Sequence, residues 1–281
     1  MTARRNSPTI RRRRLGAELR RHREAAGLTI ERVATRLRCS ASKISRIETG
    51  QTGASPRDVK DMLSLYNVSE AELEDLMEVA HQTRQRGWWQ PYGSVLVGAY
   101  IGFEAAAHSI RAYEAQCVPG LLQTDDYART IISASSITDK ELNNRVRVRM
   151  ARQTLLSQDE PIDLWVILDE AALLRPVGGP EVMRTQLDHL ATEAERPNVT
   201  LQVLPLEVGA HAGMDGSFVI LQFPDEADPD TAFVVMATGG VFQEKPDELG
   251  RYEMIFESLR NLALPTDESI ALVAKLAKES K

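Results

Sequence analysis

The segment from Thr29 to Glu48 constrains the fold most, because it holds two apolar patterns of helical period separated by a short polar break. The apolar side chains recur three and four residues apart, which places them on one face of each helix: Ile30, Val33, Ala34, Leu37, Ile44 and Ile47. Thr29 and Ser40 are favourable N-cap residues, and Gly50 is a natural helix terminator. The pattern predicts two helices of about eight residues joined by a turn of three or four, the geometry of a helix-turn-helix.

Further helical patterns precede and follow this pair. Residues 10–26 end at Gly27, Ser55 begins a fourth helix with Pro56 at its first position, and Ser69 begins a fifth. The sequence therefore predicts a five-helix, all-α domain over residues 10–80, preceded by a basic tail at residues 1–9.

Charge divides the chain into two parts. Residues 1–86 contain 18 Lys and Arg and 11 Asp and Glu, a net charge of +7. Residues 87–281 contain 16 basic and 29 acidic residues, a net charge of −13, so the whole chain has −6. This asymmetry predicts a module that binds a polyanion, joined to an acidic module with another task.

The cellular compartment is predicted from three sequence features. Cys39 and Cys117 offer neither a disulfide framework nor metal-ligand spacing, and we interpret both as small buried thiols. No apolar run approaches the roughly 20 residues that a membrane helix needs. The basic N-terminus lacks the apolar segment of a secretory signal. We therefore expect a cytoplasmic protein without membrane contact.

From residue 81 the composition changes. Residues 81–94 hold two tryptophans and a proline and are predicted to form a linker. Beyond them, apolar and β-branched runs alternate with amphipathic stretches, which predicts a mixed α/β domain over residues 95–281. The predicted strands are residues 110–113, 162–168, 199–204, 218–223 and 232–236. The predicted helices are residues 100–108, one from about residue 124, 139–157, 180–195, 247–262 and 267–278.

The second helix of the pair carries the residues predicted to contact DNA. A major groove about 12 Å wide admits one helix, and the first half of that helix usually contacts the bases. The predicted contacts are Arg38 in the turn and Ser40, Ala41, Ser42, Lys43, Ser45 and Arg46 on the helix. Because the serines and Ala41 are small, a bidentate contact from Arg46 to a guanine is the expected discriminating interaction, worth roughly 1–3 kcal/mol.

Residues 10–80 resemble the Xre-type helix-turn-helix family of phage repressors and bacterial regulators. The matching residues are Arg23, Gly27-Leu28-Thr29, Val33-Ala34, Leu37, Ile44 and Ile47-Glu48 with Gly50. The resemblance implies a lambda-repressor-like fold, base contacts from Ala41, Ser42 and Arg46, and a structural ion pair between Arg23 and Glu48. Two positions depart from the family: Ile30 stands where many members have Gln, and Arg38 stands in a turn that often carries Gly. The second departure predicts a turn of different shape.

Two alternatives remain open for the basic half. The five helices are also compatible with a protein-docking module whose charged face is merely solvated. The arginine run comprises Arg4, Arg5, Arg11, Arg12, Arg13 and Arg14. It is either a solvated tail or an arm that lies along phosphates or in the minor groove, in which case affinity falls steeply with salt.

The acidic half resembles a second family. Its motifs are Gly87-Trp88-Trp89, Tyr113-Glu114, Val118 to Arg129, Arg149 to Gln153, Asp169 to Arg175, Asn198 to Pro205 and Gly216-Ser217-Phe218. In this order they are similar to the domain that follows an Xre-type helix-turn-helix in many actinomycete regulators, including WhiJ-like and antitoxin-like proteins. The resemblance implies a domain that senses a partner, often a small protein encoded nearby.

Catalysis is not expected, because the sequence lacks a phosphate loop and the GxSxG, HExxH and GxGxxG motifs. Asp169 and Glu170 are adjacent carboxylates, but Glu170 is interpreted as the start of a short helix. His211 is interpreted as a loop residue without a partner. His108 and His189 have no ligand spacing. We expect no cofactor and no metal.

Together these features predict a sequence-specific DNA-binding transcriptional regulator that forms a homodimer and binds a small protein partner. The closing helices, about residues 247–278, are a plausible dimer surface. Two other functions remain possible: an antitoxin-like partner-binding protein with secondary DNA binding, and a regulator that senses a small molecule.

Overall fold

The computed structural model describes residues 8–50, 52–83, 95–135, 137–225, 228–236 and 239–280. They fall into two compact units: the described residues up to 83, with residues 98–106, 225 and 228, form the first, and the described residues 95–97, 107–224 and 229–280 form the second. The sequence placed one boundary in a linker at residues 81–94, but residues 98–106, 225 and 228 group with the first unit. Most of that linker lies outside the described residues.

The first unit is all-α, as predicted. Its helices are α1 (Pro8–Ala25), α2 (Ile30–Arg36), α3 (Ala41–Glu48), α4 (Pro56–Leu65), α5 (Glu70–Gln82) and most of α6 (Val95–Glu104). The predicted helix at residues 100–108 is thus displaced toward the N-terminus, because the backbone is already extended at residue 109, where the first strand begins.

The core of the first unit consists of the apolar positions that repeat with helical period. Every helix from α1 to α5 contributes to one buried cluster, which includes Leu19, Val33, Ile44, Leu63 and Ala80. Burying these side chains supplies the main stabilisation, because short helices are marginal without tertiary packing. The same packing leaves the polar side of each helix in solvent.

The second unit is built on one mixed sheet of six strands in the order β3-β2-β1-β4-β5-β6. The strands are β1 (Ser109–Glu114), β2 (Asp163–Asp169), β3 (Val199–Leu204), β4 (Phe218–Gln222), β5 (Thr231–Met236) and β6 (Gly239–Gln243). β1, β2 and β3 pair in parallel, and β4, β5 and β6 continue the sheet with antiparallel pairs.

Helices connect and cover these strands. They are α7 (Asp125–Ser133), α8 (Asp139–Arg152), α9 (Glu170–Leu174), α10 (Pro180–Glu193), α11 (Pro246–Leu262) and α12 (Thr266–Glu279). α7 and α8 lie between β1 and β2, and α9 and α10 lie between β2 and β3. The predicted mixed α/β character is therefore confirmed. Within the described residues, no helix has the length and hydropathy needed to span a membrane.

The two faces of the sheet differ in composition. One face presents buried aliphatic residues of β1 and β2, such as Ile110, Ala112, Leu164 and Val166. The other face is apolar toward the last residues of β1, β2 and β3, where it packs against α11. There Phe256 and Leu259 are surrounded by Tyr113, Ile167, Leu204, Phe218, Ile220 and Ala232. The same face is polar near the first residues of β1, β2 and β3.

Candidate nucleic-acid interface

The helix-turn-helix is held by two side-chain caps. Thr29 Oγ1 accepts a hydrogen bond from Arg32 N–H (3.3 Å), and Ser40 Oγ accepts one from Lys43 N–H (3.2 Å). Both cap residues have extended backbone, which is the conformation that an N-cap requires. Ser40 is therefore the N-cap of α3, and Ala41 is the first residue of that helix.

The turn between α2 and α3 has a left-handed residue. Arg38 has φ of 53°, and the following Cys39 N–H donates to Ala34 O (2.9 Å). A non-glycine residue in this conformation costs roughly 1–2 kcal/mol. Arg38 therefore adopts the left-handed conformation that glycine would adopt without steric cost, and a turn shaped differently from that of the family stays a prediction.

α3 approaches α1 closely at one glycine. A Cβ on Gly16 would lie 2.5 Å from Ile47 O and 2.6 Å from Glu48 O, so a larger residue would separate the helices. Gly50, with φ of 67°, ends α3 as predicted, and a Cβ there would meet Arg13 Cα at 2.8 Å. The sequence analysis missed Gly16, although a small residue between the apolar positions of α1 was the available signal.

A buried ion pair joins α1 to α3. Arg23 Nε donates to Glu48 Oε1 (2.7 Å) and Arg23 Nη2 donates to Glu48 Oε2 (3.0 Å). The third nitrogen, Nη1, donates to Leu28 O (2.8 Å), so the guanidinium is held on both sides. This is the pairing that the resemblance implied, and it fixes the orientation of α3.

α3 has one buried side and one exposed side. Ile44, Ile47 and Glu48 are buried, whereas Ser42 and Arg46 are exposed. Ala41 and Ser45 are half-buried and flank the exposed pair. Arg46 Nε donates a long hydrogen bond to Ser42 O (3.3 Å), which a base edge can replace.

Lys43 is engaged within the protein. Its Nζ lies 2.6 Å from Asp58 Oδ1 on α4, and Asp58 also forms a capping box with Ser55 at the start of that helix. A phosphate contact from Lys43 therefore has to compete with this carboxylate. Of the predicted contacts, Arg38 and Arg46 are the exposed cations without such a restraint.

The arginine run is neither a tail nor an extended arm over residues 11–14, because these residues lie on α1. Arg13 is only 8% exposed, and its guanidinium lies 5.4 Å from the centre of the Phe103 ring. Arg12 Nε donates to Thr83 O (3.4 Å), and burial lowers its pKa. Arg4 and Arg5 lie outside the described residues.

Arg14 is held by two carboxylates of the same unit. Its Nη2 lies 2.7 Å from Asp225 Oδ2, and its Nε lies 2.5 Å from Asp228 Oδ1. The hydrogen bond with Asp228 is the main cause that raises the pKa of this guanidinium. Three of the four arginines therefore support structure inside the first unit.

Further basic side chains are exposed on the neighbouring helices. Arg36 lies at the end of α2, and Arg57 and Lys60 lie on the first turns of α4. The sequence analysis did not assign them to the interface. Their signal was their place on the polar side of each helical pattern, where side chains are exposed.

Two family models match the chain. Residues 14–76 match a helix-turn-helix domain, which runs from within α1 to within α5. Residues 97–275, more than half of the chain, match a domain of unknown function, DUF5753. The chain belongs to the DUF5753 family. No curated protein and no solved structure matches it. The helix-turn-helix match supports DNA binding by the first unit. The DUF5753 match covers most of the second unit and also residues 98–106 of the first.

The DUF5753 domain brings together residues that the sequence analysis treated as separate. Asp169 Oδ2 accepts a hydrogen bond from Tyr113 Oη (3.2 Å) and lies 3.6 Å from His211 Nε2. His211 Nδ1 accepts a hydrogen bond from Gly213 N–H (3.1 Å), so the ring proton lies on Nε2, toward Asp169. The interpretation of His211 as a residue without a partner is wrong, because the chain folds back onto the end of β2.

Asp169 and Glu170 have structural contacts. Asp169 Oδ1 accepts from Ala171 N–H (2.9 Å) and caps α9, which begins at Glu170 as predicted. Glu170 Oε2 accepts from Leu206 N–H (2.9 Å) and so joins α9 to the segment after β3. Among the described residues, no three His, Cys, Asp or Glu side chains converge as a metal site would require.

Glu114 is the most perturbed carboxyl group of the DUF5753 domain. Burial raises the pKa of Glu114 to about 7, although a hydrogen bond with Ser217 and the charge of Arg149 act in the opposite direction. Burial, together with the negative charge of Glu114, raises the pKa of the Cys117 thiol to about 11. Cys117 is therefore an unreactive thiol at neutral pH.

Proposed function

We propose that this protein is a sequence-specific, Xre-type transcriptional regulator that inserts α3 into the DNA major groove. The observation that carries the proposal is the division of α3: Ser42 and Arg46 are exposed, while Ile44 and Ile47 anchor the opposite side in the core. The helix can therefore contact base edges without losing its own packing. The match of residues 14–76 to a helix-turn-helix domain supports the same role.

In this proposal, Arg46 makes the discriminating base contact and Ser42 a weaker one. Ser40 and Arg38 contact the phosphate backbone at the start of the helix, and Lys43 joins them if the phosphate displaces Asp58. The small side chains of Ala41 and Ser45 let the helix backbone lie close to the bases. Arg36, Arg57 and Lys60 add sequence-independent affinity.

Selection from a random duplex library tests this function. The full chain is expected to enrich one motif, and its affinity for that motif is expected to fall as salt rises, because phosphate contacts release counterions. If the bound pool shows no motif and the affinity does not change with salt, the protein-docking alternative for the five helices replaces DNA binding.

The DUF5753 domain supplies regulation rather than catalysis in this proposal, through a homodimer and a small protein partner encoded nearby. Its exposed apolar side chains support a binding role: Val235 is 66% exposed on one face of β5, and Met236 and Val241 are exposed on the opposite face of the same strand pair. β6 lies at an edge of the sheet, where another chain can add a strand. The partner is therefore expected at the β5–β6 edge.

The homodimer surface is assigned to α11, where Met254 is 69% exposed and Leu262 is also exposed. α12 is less suitable than the sequence suggested, because Val273 and Ala277 are buried and the helix packs against α10 and β3. Sedimentation of the wild type and of Met254→Lys tests this surface. A dimer that dissociates only in the variant supports it, whereas an unchanged dimer excludes it.

The antitoxin-like alternative is distinguished by co-purification. The chain is expressed with the small protein encoded next to it, once as wild type and once as Val235→Lys. A stoichiometric complex that forms only with the wild type supports the partner site at β5–β6. If that complex forms and the chain selects no DNA motif, partner binding is the primary function and DNA binding is secondary.

A further inference from the structure

A cleft opens on the polar part of the sheet face in the second unit. It has a volume of about 450 Å³, and its walls include Ser109, Arg111, Asp163, Trp165, Thr200 and Arg260. Register explains this convergence: Ser109 pairs with Asp163, Arg111 with Trp165, and Trp165 with Thr200. These residues therefore share one face, which the apolar part of α11 leaves uncovered. A volume of this size is typical of small-molecule sites, which range over roughly 300–1,000 Å³.

The charged groups of this cleft have both signs. Arg111 and Arg260 provide two guanidinium groups, and Asp163 and Glu257 provide two carboxylates. Glu257 bridges the arginines, with Oε2 2.8 Å from Arg260 Nη2 and Oε1 3.7 Å from Arg111 Nη1. A phosphate would therefore meet two carboxylates, and a polyamine would meet two guanidiniums. A molecule that carries both signs matches the cleft better.

Two polar groups of the cleft retain bonding capacity. The Arg260 side chain is 38% exposed, and among the described residues its guanidinium forms one ion pair, with Glu257. The Asp163 carboxylate is exposed and forms no ion pair with the described residues. Each of these two groups therefore has bonding capacity left for a ligand group of opposite charge.

The remaining walls are fixed before any ligand binds. Trp165 Nε1 donates to Gln202 Oε1 (2.9 Å), and the Arg260 guanidinium lies 5.4 Å from the centre of a Trp165 ring. Asn198 Nδ2 donates to Leu156 O and to Ile162 O, and these two hydrogen bonds fix the orientation of the Asn198 side chain. Such preorganisation lowers the entropy lost on binding.

We propose that this cleft binds a small zwitterion of the α-amino acid type. The ligand carboxylate pairs with the Arg260 guanidinium, and the ligand ammonium group pairs with the Asp163 carboxylate. The hydroxyls of Ser109 and Thr200 complete the polar lining, and the Trp165 indole supplies the apolar wall for the side chain. The inference deepens the ligand-sensing alternative, but it does not depend on DNA binding.

The probe is a panel of the twenty common L-amino acids, each titrated into the full chain by calorimetry up to about 10 mM, a range that detects millimolar affinity. At least one is expected to bind with a saturable isotherm and to raise the melting temperature. Its methyl ester lacks the carboxylate and its N-acetyl derivative lacks the ammonium, and each is expected to bind about tenfold or more weakly. These comparisons need no protein variant.

Asp163→Asn is the matching protein variant, because this exposed carboxylate can change with little effect on folding. It is expected to weaken binding of the selected amino acid about tenfold or more. The control is Asp188→Asn, which removes an exposed carboxylate on α10 and should leave the affinity unchanged. If no amino acid binds, or if binding survives both esterification and Asp163→Asn, the proposal is overturned. Neither result alters the DNA-selection experiment, since that assay contains no amino acid.

Discussion

Arg23 and Glu48 form a buried, two-point ion pair that links α1 to α3. Because Arg23 also binds Leu28 O, the pair fixes the loop before α2 as well as the helix that is assigned to base contact. Its function is positional: it holds the exposed side of α3 at a fixed angle to the rest of the first unit.

Removing one partner of this pair is expected to be strongly destabilising. Glu48→Gln leaves the buried Arg23 with only the exposed Glu24 carboxylate, whose Oε1 lies 3.4 Å from Arg23 Nη2. The free energy of unfolding of the first unit should therefore fall, by up to roughly 3–5 kcal/mol. Chemical denaturation, followed by helical circular dichroism, measures this loss.

Glu74→Gln is the control for that experiment, because Glu74 is an exposed carboxylate on α5. It should change the stability by less than about 0.5 kcal/mol. Equal stability of the Glu48 and Glu74 variants would show that the buried pair does not hold α3.

Two substitutions at Arg38, which has a left-handed backbone, separate the effect of that backbone on stability from the effect of the charge on DNA binding. Arg38→Gly should be more stable than Arg38→Ala by roughly 1 kcal/mol, because glycine adopts positive φ without steric cost. Both variants lose the same charge, so both should weaken DNA binding similarly at every sequence and lower the salt slope by about 1. Thermal unfolding and salt-dependent binding measure the two effects. Equal stability of the variants would contradict the backbone assignment.

The raised pKa of Glu114 predicts a pH dependence of the second unit. In the unfolded chain this carboxyl ionises near pH 4.5, and in the folded chain near pH 7. Folding therefore binds a proton between these values, and stability falls as pH rises through this window. Above the folded pKa the full penalty applies, on the order of 3 kcal/mol.

Glu114→Gln should remove that penalty. The variant is expected to gain most stability near pH 8 and to show a flatter stability profile between about pH 5 and pH 8. Glu207→Gln, at an exposed carboxylate, should retain the wild-type slope. A Glu114 variant whose stability changes with pH as steeply as that of the wild type would assign the slope to other groups.

The sequence predicted local structure well where periodicity and caps decide it. The positions of Thr29, Ser40 and Gly50 predicted the helix-turn-helix, and the apolar run at residues 162–168 predicted β2 almost to the residue. β6 was missed because Gly239 and Gly240 interrupt any alternating pattern, and only pairing with β5 identifies it as a strand.

Long-range contacts account for the other differences. Nothing near His211 in the sequence identifies Asp169 as its neighbour, since the contact arises when the segment after β3 returns to the end of β2. Likewise, a run of arginines predicts a solvated or phosphate-binding segment, yet Arg13 is buried against Phe103 because residues 98–106 group with the first unit. The cleft around Arg111 depends on strand register, which the sequence pattern did not reveal.

The central claim is that Arg46 determines which base sequence α3 selects. The most direct measurement is the affinity of Arg46→Ala for the selected site and for duplexes that each differ from it at one base pair. The loss of one bidentate contact should remove roughly 1–3 kcal/mol of discrimination at a single G·C pair and leave the other positions unchanged. Arg20→Ala, at an exposed arginine on α1, should keep the wild-type preferences. If Arg46→Ala also keeps them at every position, the assignment of base recognition to Arg46 is contradicted.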